Sequence, residues 1–340
     1  FFRLESLLLH ILNALLVVAL GHWRPLGYRL SFVAAAVWAL AERHHEAVLW
    51  YAALPEQLVF FFVLAAMNFW LRWWQDRPAW AYAASITCYL LALLSKESAV
   101  VFCALAFLPL IFDLTQWRRA LAAMSPAIAL AAIYFYANIA AQDNHLHWSD
   151  GTFRPGWQFG IVLFNSIGRI FWIWGGLGLI ALAYWRREVN WRIIAFAALW
   201  IVICISPYSL LSYMPRVPSR HVYLASLGRA IMLSVVLGLA WRYRRATLGV
   251  FALFVISNAA YIWTAKHDQF LKRAQATEEV VEAASRLDTT SFTIRCFPHA
   301  PELAELALHI RLNIARSEID ARRDGDCSAM EVRAAPRKPI

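Results

Sequence analysis

The chain has 340 residues, of which 61% are hydrophobic and 16% charged, with 17 Trp and 21 Phe. A mean hydropathy of +0.51 exceeds what an ordinary soluble domain can bury, which excludes that class and predicts a polytopic membrane protein. The net charge of +10 reads as a topology signal, because Lys and Arg fall in short connections between apolar runs, and it requires no nucleic-acid partner.

Apolar runs of roughly 15–20 residues, each able to cross most of a hydrocarbon core about 30 Å thick, predict about ten spans. They cover 7–20, 27–41, 55–71, 79–95, 98–113, 121–138, 159–184, 191–206, 222–240 and 246–264. The expected fold class is therefore an all-α membrane protein, a polytopic helical bundle over 1–264. Every second connection is short and basic (Arg24 and Arg29; Arg72 and Arg77; Arg118 and Arg119; Arg186, Arg187 and Arg192; Arg242, Arg244 and Arg245), and these should be cytoplasmic. The alternating connections then face outward. This parity places Phe1 on the outer side without a Met or a cleavable signal, so an upstream span and outer loop are expected before it.

In the first run His10 and Asn13 share one helix face and suit helix packing. The second run is short, so either its helix is sheltered by neighbours or the stretch after it, Glu42-Arg43-His44-His45-Glu46, dips into a protein-lined cavity. Glu56 opens the third run. Between 79–95 and 98–113 stand Ser95-Lys96-Glu97-Ser98, with almost no room for a solvated loop. Lys96 either snorkels while Glu97 caps the next helix, or offers a point charge to a phosphate with Glu97 holding it or another basic group.

The segment 139–158 mixes Asp143, His145, His147, Asp150 and Arg154 with aromatic residues and suits the headgroup level. His145 and His147 have metal-ligand spacing but no fixed third ligand. Arg169 and Arg229 lie inside apolar runs, where a charge is costly, so each should face the bundle interior or an anionic ligand; Arg229 is also close enough to the outer interface to snorkel. Prolines stiffen 206–223 and hold it out of helix, and Arg216, Arg220 and His221 bias it toward anions.

After Lys266 charge density rises. A helix over 266–288, a strand over 291–297 and a helix over 301–318 predict a small outer-facing α/β appendage at 265–319, followed by a disordered tail at 320–340. Cys88, Cys103 and Cys204 lie in apolar runs and read as packing, whereas Cys296 and Cys327 can form a disulfide on the outer side.

Three strings carry a family resemblance: His44-His45-Glu46-Ala47-Val48-Leu49-Trp50 with Pro55-Glu56, Leu93-Leu94-Ser95-Lys96-Glu97-Ser98-Ala99, and Arg220-His221-Val222-Tyr223-Leu224-Ala225-Ser226-Leu227-Gly228. In order and spacing they resemble the C-type glycosyltransferase superfamily, specifically its protein O-mannosyltransferase-like group. The chain departs from the family pattern His-Pro-Val-His-x-Glu at Ala41, Glu42 and Arg43, and again at Ser219, where the family has Glu, and Ala225, where it has Pro.

The resemblance implies transfer of a sugar from a polyprenyl-phosphate-linked donor to an acceptor hydroxyl of a protein, lipid or glycan. The setting it implies is the periplasmic or lumenal face, with a bacterial inner membrane as the expected location. The family's catalytic base is an Asp in the first outer loop, expected upstream of Phe1. A phosphate leaving group needs cations, for which Lys96, Arg169 and Arg220 are the candidates. His44, Glu46 and Glu56 are candidates for shaping the sugar site or holding a divalent cation, although two carboxylates do not define a metal site. A transporter or flippase of lipid-linked precursors, or a catalytically incomplete regulatory homologue, is the alternative.

Overall fold

The computed structural model describes residues 2–141, 156–211, 214–287, 289–322 and 330–334. Contacts divide the chain into two units, Phe1–Ala259 and Ala260–Ile340, a boundary slightly before the expected 264.

The described elements of the first unit are helices and helical turns. Its long elements are α1 (Phe2–Ala19), α2 (Gly27–Ala39), a short α3 (His45–Leu49), α4 (Leu54–Asp76), α5 (Ala79–Ser95), a short α6 (Phe102–Leu105), α7 (Trp117–Ala141), α8 (Gln158–Tyr184), α9 (Trp191–Ile205), α10 (Ser226–Ala240) and α11 (Arg244–Tyr261). Six helical runs among the described residues are long and apolar enough to cross a membrane: Leu4–His22, Tyr51–Asp76, Leu114–Ala141, Gln158–Tyr184, Trp191–Leu210 and Ser226–Ser285. The last of these runs joins α10 and α11 through the 3-10 turn Trp241–Tyr243, where the chain reverses: Arg242 meets Glu188, whereas Asn258 Nδ2 donates back to Leu40 O. Ala79–Ser95 and Glu97–Ile111 are shorter apolar helices, and α2, with 13 residues, rises only about 20 Å.

Local chemistry explains several boundaries. Pro55 occupies the first turn of α4, where its missing N–H costs no intrahelical bond, and Arg77 ends that helix in the left-handed region at φ 63°. The run 98–113 breaks into 3-10 turns at Glu97–Val101 and Leu108–Ile111 around α6, since Pro109 cannot donate back to Leu105. Inside α8, Trp172 leaves helical geometry at φ 42° and ψ −151°, just before Gly175 and Gly176.

α4 packs along α5 and α1, and α10 packs against α2, α8 and α9. Trp38, Trp70, Trp200, Tyr223 and Phe60 fill the centre. Interior polar groups are tied to backbone: Asn13 Nδ2 donates to Gln57 O at 3.2 Å, Gln57 Nε2 to Ala47 O at 2.6 Å and Ser85 Oγ to Ala66 O at 2.9 Å.

The unit has two chemically different ends. At one, Arg24 N donates to Gln75 Oε1, Arg77 to Gln116, Arg192 to Phe112 O and Arg242 to Glu188, which gathers the basic connections. α4 leads from there to the other end, where the 42–56 stretch, Lys96 and the 207–223 connection meet.

The second unit has a π-helical stretch (Ile262–His267), α12 (Asp268–Ser285), β1 (Phe292–Arg295), α13 (Pro301–Leu312), β2 (Ile319–Arg322) and β3 (Glu331–Ala334). Strand order is β2-β1-β3. β1 pairs in parallel with β2, Phe292 opposite Ile319, and antiparallel with β3, Phe292 opposite Ala334. The α13 crossover is what permits the parallel pairing. Val280, Ala284, Phe292, Ile294 and Leu308 form its core.

Two expectations are corrected here. The helix expected to reach 318 ends at Leu312, because Asn313 adopts φ 56° at its C-terminus. Within 320–340, expected to be disordered, the described residues supply most of β2 and all of β3, since Ile319 completes the apolar core and the strands satisfy both edges of β1. Cys296 is disulfide-bonded, whereas Cys88, Cys103 and Cys204 are free thiols; Cys327, like His145 and His147, lies outside the described residues.

Candidate functional site

Glu56 is the hub of the site. It sits in the first turn of α4 and is 6% exposed. Its Oε1 accepts from Lys96 Nζ and from His221 Nδ1, the latter at 2.6 Å, and its Oε2 accepts from Tyr208 OH at 2.9 Å. Each donor has a local reason to be there. Lys96 ends α5 in extended geometry at φ −170° and ψ 144°, which turns the chain sharply before the next segment. Tyr208 follows Pro207 in a 3-10 turn at the end of α9, and His221 lies in the 3-10 turn Ser219–Val222. The Tyr208 and His221 rings stack with centroids 4.4 Å apart, and the Lys96 ammonium lies 5.3 Å from the Tyr208 centroid.

Glu56, Lys96 and Arg220, with Ala52, Ala53, Pro55 and Ser95, line a cleft of about 230 Å³. The Arg220 guanidinium rests over the Trp50 ring, 4.9 Å from its centroid, and the Arg220 backbone N–H donates to Glu46 Oε2 at 3.2 Å. Burial acts to raise the Glu46 carboxyl, but the Ser219 hydroxyl and the Arg220 N–H outweigh it and hold the group below the usual carboxylate range. His221 is shifted down: burial outweighs the attraction of Glu56, and Lys96 and Arg220 add to the effect. The imidazole is therefore neutral near pH 7.

The expected residues do not all converge. Glu46, Glu56, Lys96 and Arg220 do. Arg169 stands on the α8 side and donates to Val217 O at 2.7 Å, with an electrostatic pull on Glu46. Glu97 does not hold Lys96, which reaches back to Glu56 instead; the extended backbone at Lys96 separates the paths of the two neighbouring side chains. His44 is sealed off from the cleft at 3% exposure. Its Nε2 pairs with Ser226 Oγ at 2.8 Å, and the rings of Trp38, Tyr223 and His10 surround it at 4.7, 4.9 and 5.5 Å. Burial pushes its pKa well below the ordinary value, and His10, Arg229 and His45 push the same way.

Arg229 resolves toward the interior. It is 1% exposed, and its Nη1 donates to Ile170 O at 3.0 Å, a carbonyl two residues before the Trp172 break. Nearby, Arg43 Nε lies 3.0 Å from Glu42 Oε1, off the line of a hydrogen bond, and the Arg43 guanidinium sits 5.1 Å from the Trp172 ring centroid. His10 and Asn13 serve packing: His10 Nδ1 meets Tyr223 OH at 2.7 Å and Asn13 Nδ2 donates to the same oxygen at 3.3 Å.

A divalent cation does not fit these residues. Both Glu56 oxygens are taken by donors, and no group of three or more His, Cys, Asp or Glu side chains among the described residues is placed to hold a metal. Sequence reasoning left Tyr208, Ser219 and Trp50 unassigned and read His221 only as part of an anion-favouring stretch, not as a partner of Glu56. For Tyr208 and Glu56, 152 positions apart, no local pattern carries the pairing. His221 had one signal, its place beside Arg220. No family model, no curated protein and no solved structure matches the chain.

Proposed function

We propose that the chain belongs to a membrane-embedded glycosyltransferase that moves a sugar from a polyprenyl-phosphate-linked donor to an acceptor hydroxyl of a protein, lipid or glycan. The reaction takes place on the periplasmic or lumenal face of the membrane, with a bacterial inner membrane as the setting proposed. The observation that carries this reading is the meeting of Lys96 and Arg220 in one small cleft at the end of an apolar helical bundle. A polyprenyl phosphate needs a cationic pocket reached from the bilayer, and Lys96 and Arg220 both line the cleft, with Glu56 in its wall and Glu46 turned to the Arg220 backbone N–H. Lys96 keeps N–H donors beyond the one on Glu56, and Arg220, its guanidinium over the Trp50 ring, brings further donors to an anion. Such fixed cations stabilise the negative charge that builds on a departing phosphate. Arg169, held beyond the cleft by Val217 O, adds long-range positive potential.

In the full-length protein Glu46→Gln and Arg220→Ala each abolish sugar transfer from a polyprenyl-phosphate sugar while expression is retained. Turnover at the wild-type rate in both variants rejects the site.

The second reading, transport of a lipid-linked precursor, draws on the break in α8 at Trp172 with buried Arg229 beneath it, since discontinuous helices line transport sites. Movement of a fluorescent polyprenyl-phosphate sugar across proteoliposomes, without cleavage of the sugar–phosphate bond, selects it over transfer.

A further inference from the structure

We propose that the groove between α8, α10 and α11 binds one acyl chain of an anionic phospholipid, whose headgroup meets the arginines at the basic end of the helical unit. The groove shares no residue with the Lys96–Arg220 cleft, and the inference does not depend on the transferase reading.

The shape of the groove selects a hydrocarbon chain. It encloses about 340 Å³, room for about eleven methylene groups if each takes a share close to the roughly 30 Å³ of a water. Leu177 and Val250, in its walls, are 50% and 49% exposed, so it is open to what surrounds the helices. Two polar groups of the lining are already bonded: Thr247 Oγ1 donates to Ala240 O at 2.7 Å, and Trp174 Nε1 donates to Ser257 Oγ at 3.0 Å. A sugar or a peptide loses its hydrogen bonds against such walls, whereas a hydrocarbon has none to lose.

The length of the groove selects a single leaflet. It runs from Trp174 to Trp185 along α8 and from Phe254 to Tyr243 along α11, a rise of about 16 Å on each helix. That is about half of a hydrocarbon core roughly 30 Å thick. The Trp174 and Phe254 rings, with centroids 5.4 Å apart, close the inner end. A transmembrane helix of a partner needs the whole depth, but an acyl chain needs only this half.

Charge at the mouth selects the headgroup. The connections 184–192 and 241–246 carry Arg186, Arg187, Arg192, Arg242, Arg244 and Arg245, all exposed, against the single acid Glu188. Arg242 pairs with Glu188 at 2.9 Å, and its guanidinium lies 5.6 Å from the Trp185 ring and 5.7 Å from the Tyr243 ring. Both rings line the groove, so this cation stands at its mouth. The Arg244 guanidinium follows, 5.6 Å from the Trp241 ring. Trp and Tyr at a helix end suit headgroup depth, and clustered Arg beside them favours anionic lipid. A phospholipid with its chain in the groove thus places its phosphate among these arginines.

The test is native mass spectrometry of the full-length protein in detergent, with dioleoyl-phosphatidylglycerol, dioleoyl-phosphatidylcholine or undecaprenyl phosphate added. The wild type should retain one phosphatidylglycerol at an occupancy at least about fivefold above that of phosphatidylcholine. Ala246 is exposed and lines the groove, so Ala246→Trp fills it from the surface and should reduce phosphatidylglycerol to the phosphatidylcholine level. Arg242→Gln combined with Arg244→Gln leaves the walls intact and should make the two lipids equal. Equal retention of both lipids by the wild type overturns the proposal, and so does a phosphatidylglycerol adduct that Ala246→Trp leaves unchanged. Preferential retention of undecaprenyl phosphate, or a dimer that Ala246→Trp separates, gives the groove to another occupant and also overturns it. Should Ala246→Trp fail to fold, the paired arginine variant decides: a phosphatidylglycerol preference that survives the loss of both cations refutes the site.

Discussion

His44 and Glu46 are two positions apart, yet one is sealed among Trp38, Tyr223 and His10 while the other grips the Arg220 backbone beside the cleft. The sealed imidazole has a measurable consequence. Its folded-state pKa is depressed by burial and by His10, Arg229 and His45, so below about pH 6.5 the unfolded chain binds a proton that the folded one refuses. Stability is unaffected by His44 above that pH and falls as pH drops below it, by up to about 1.4 kcal/mol per pH unit for one group. His221, also depressed, contributes with the same sign. Melting of the detergent-solubilised protein from pH 7.5 to 5 should show the decline, and His44→Gln should reduce its slope while leaving the His221 share. An identical slope in both proteins refutes the account. The string around His44 was conspicuous in the sequence because charge is rare in so apolar a chain, but its division into a buried half and a cleft half was not. That division depends on Ser226 and Tyr223, more than 170 positions downstream.

At the scale of elements, apolar run length located most helices, and proline and glycine explain the departures. Pro109 broke 98–113 into short turns, and the Gly-rich stretch after Trp172 accompanies a break that hydropathy alone cannot register. Helix proximity is equally hidden in hydropathy, and Gly228 shows why it matters. A Cβ there would lie 2.3 Å from Ala197 O and 2.6 Å from Ile201 Cγ1, contacts that only a separation of α9 and α10 can relieve. Gly228→Ala should therefore destabilise the protein by about 1–3 kcal/mol, as overpacked cores do. Gly249→Ala, with nothing within 4 Å of its added carbon, supplies the control: the same change in a helix interior should be neutral or stabilising by roughly 0.5–1 kcal/mol. Comparison of the two melting points checks it, and equal shifts would show that the α9–α10 contact is looser than these distances imply. Because α9 carries Tyr208 and α10 follows directly on His221, the site inherits its precision from this contact.

At the scale of the molecule, the helical unit separates its charges. One end collects Arg24, Arg77, Arg192 and Arg242 through bonds to Gln75, Gln116, Phe112 O and Glu188. The other collects Glu56, Lys96, Tyr208 and His221 around one carboxylate. The two ends are joined by α4 and α9, each among the runs long and apolar enough to cross a membrane. In a bilayer the basic end is predicted to stay with the cytoplasm, because translocating Arg is disfavoured, which would open the cleft on the opposite face. Exposed positions make this testable: Ala52 borders the cleft, whereas Arg118 and Arg187 lie in basic connections. In intact cells a membrane-impermeant maleimide should label Ala52→Cys above the background of the parent protein. Arg118→Cys and Arg187→Cys should react only after the membrane is opened. Labelling of all three without permeabilisation rejects a membrane-crossing bundle, and the reverse pattern inverts it. An inverted bundle would put the Lys96–Arg220 cleft in contact with cytoplasmic nucleotide sugars, and a lipid-linked donor would then lose its physical rationale. The orientation therefore constrains the chemistry as tightly as the cleft residues do, since the same cations serve either kind of phosphate and only the face of the membrane tells them apart.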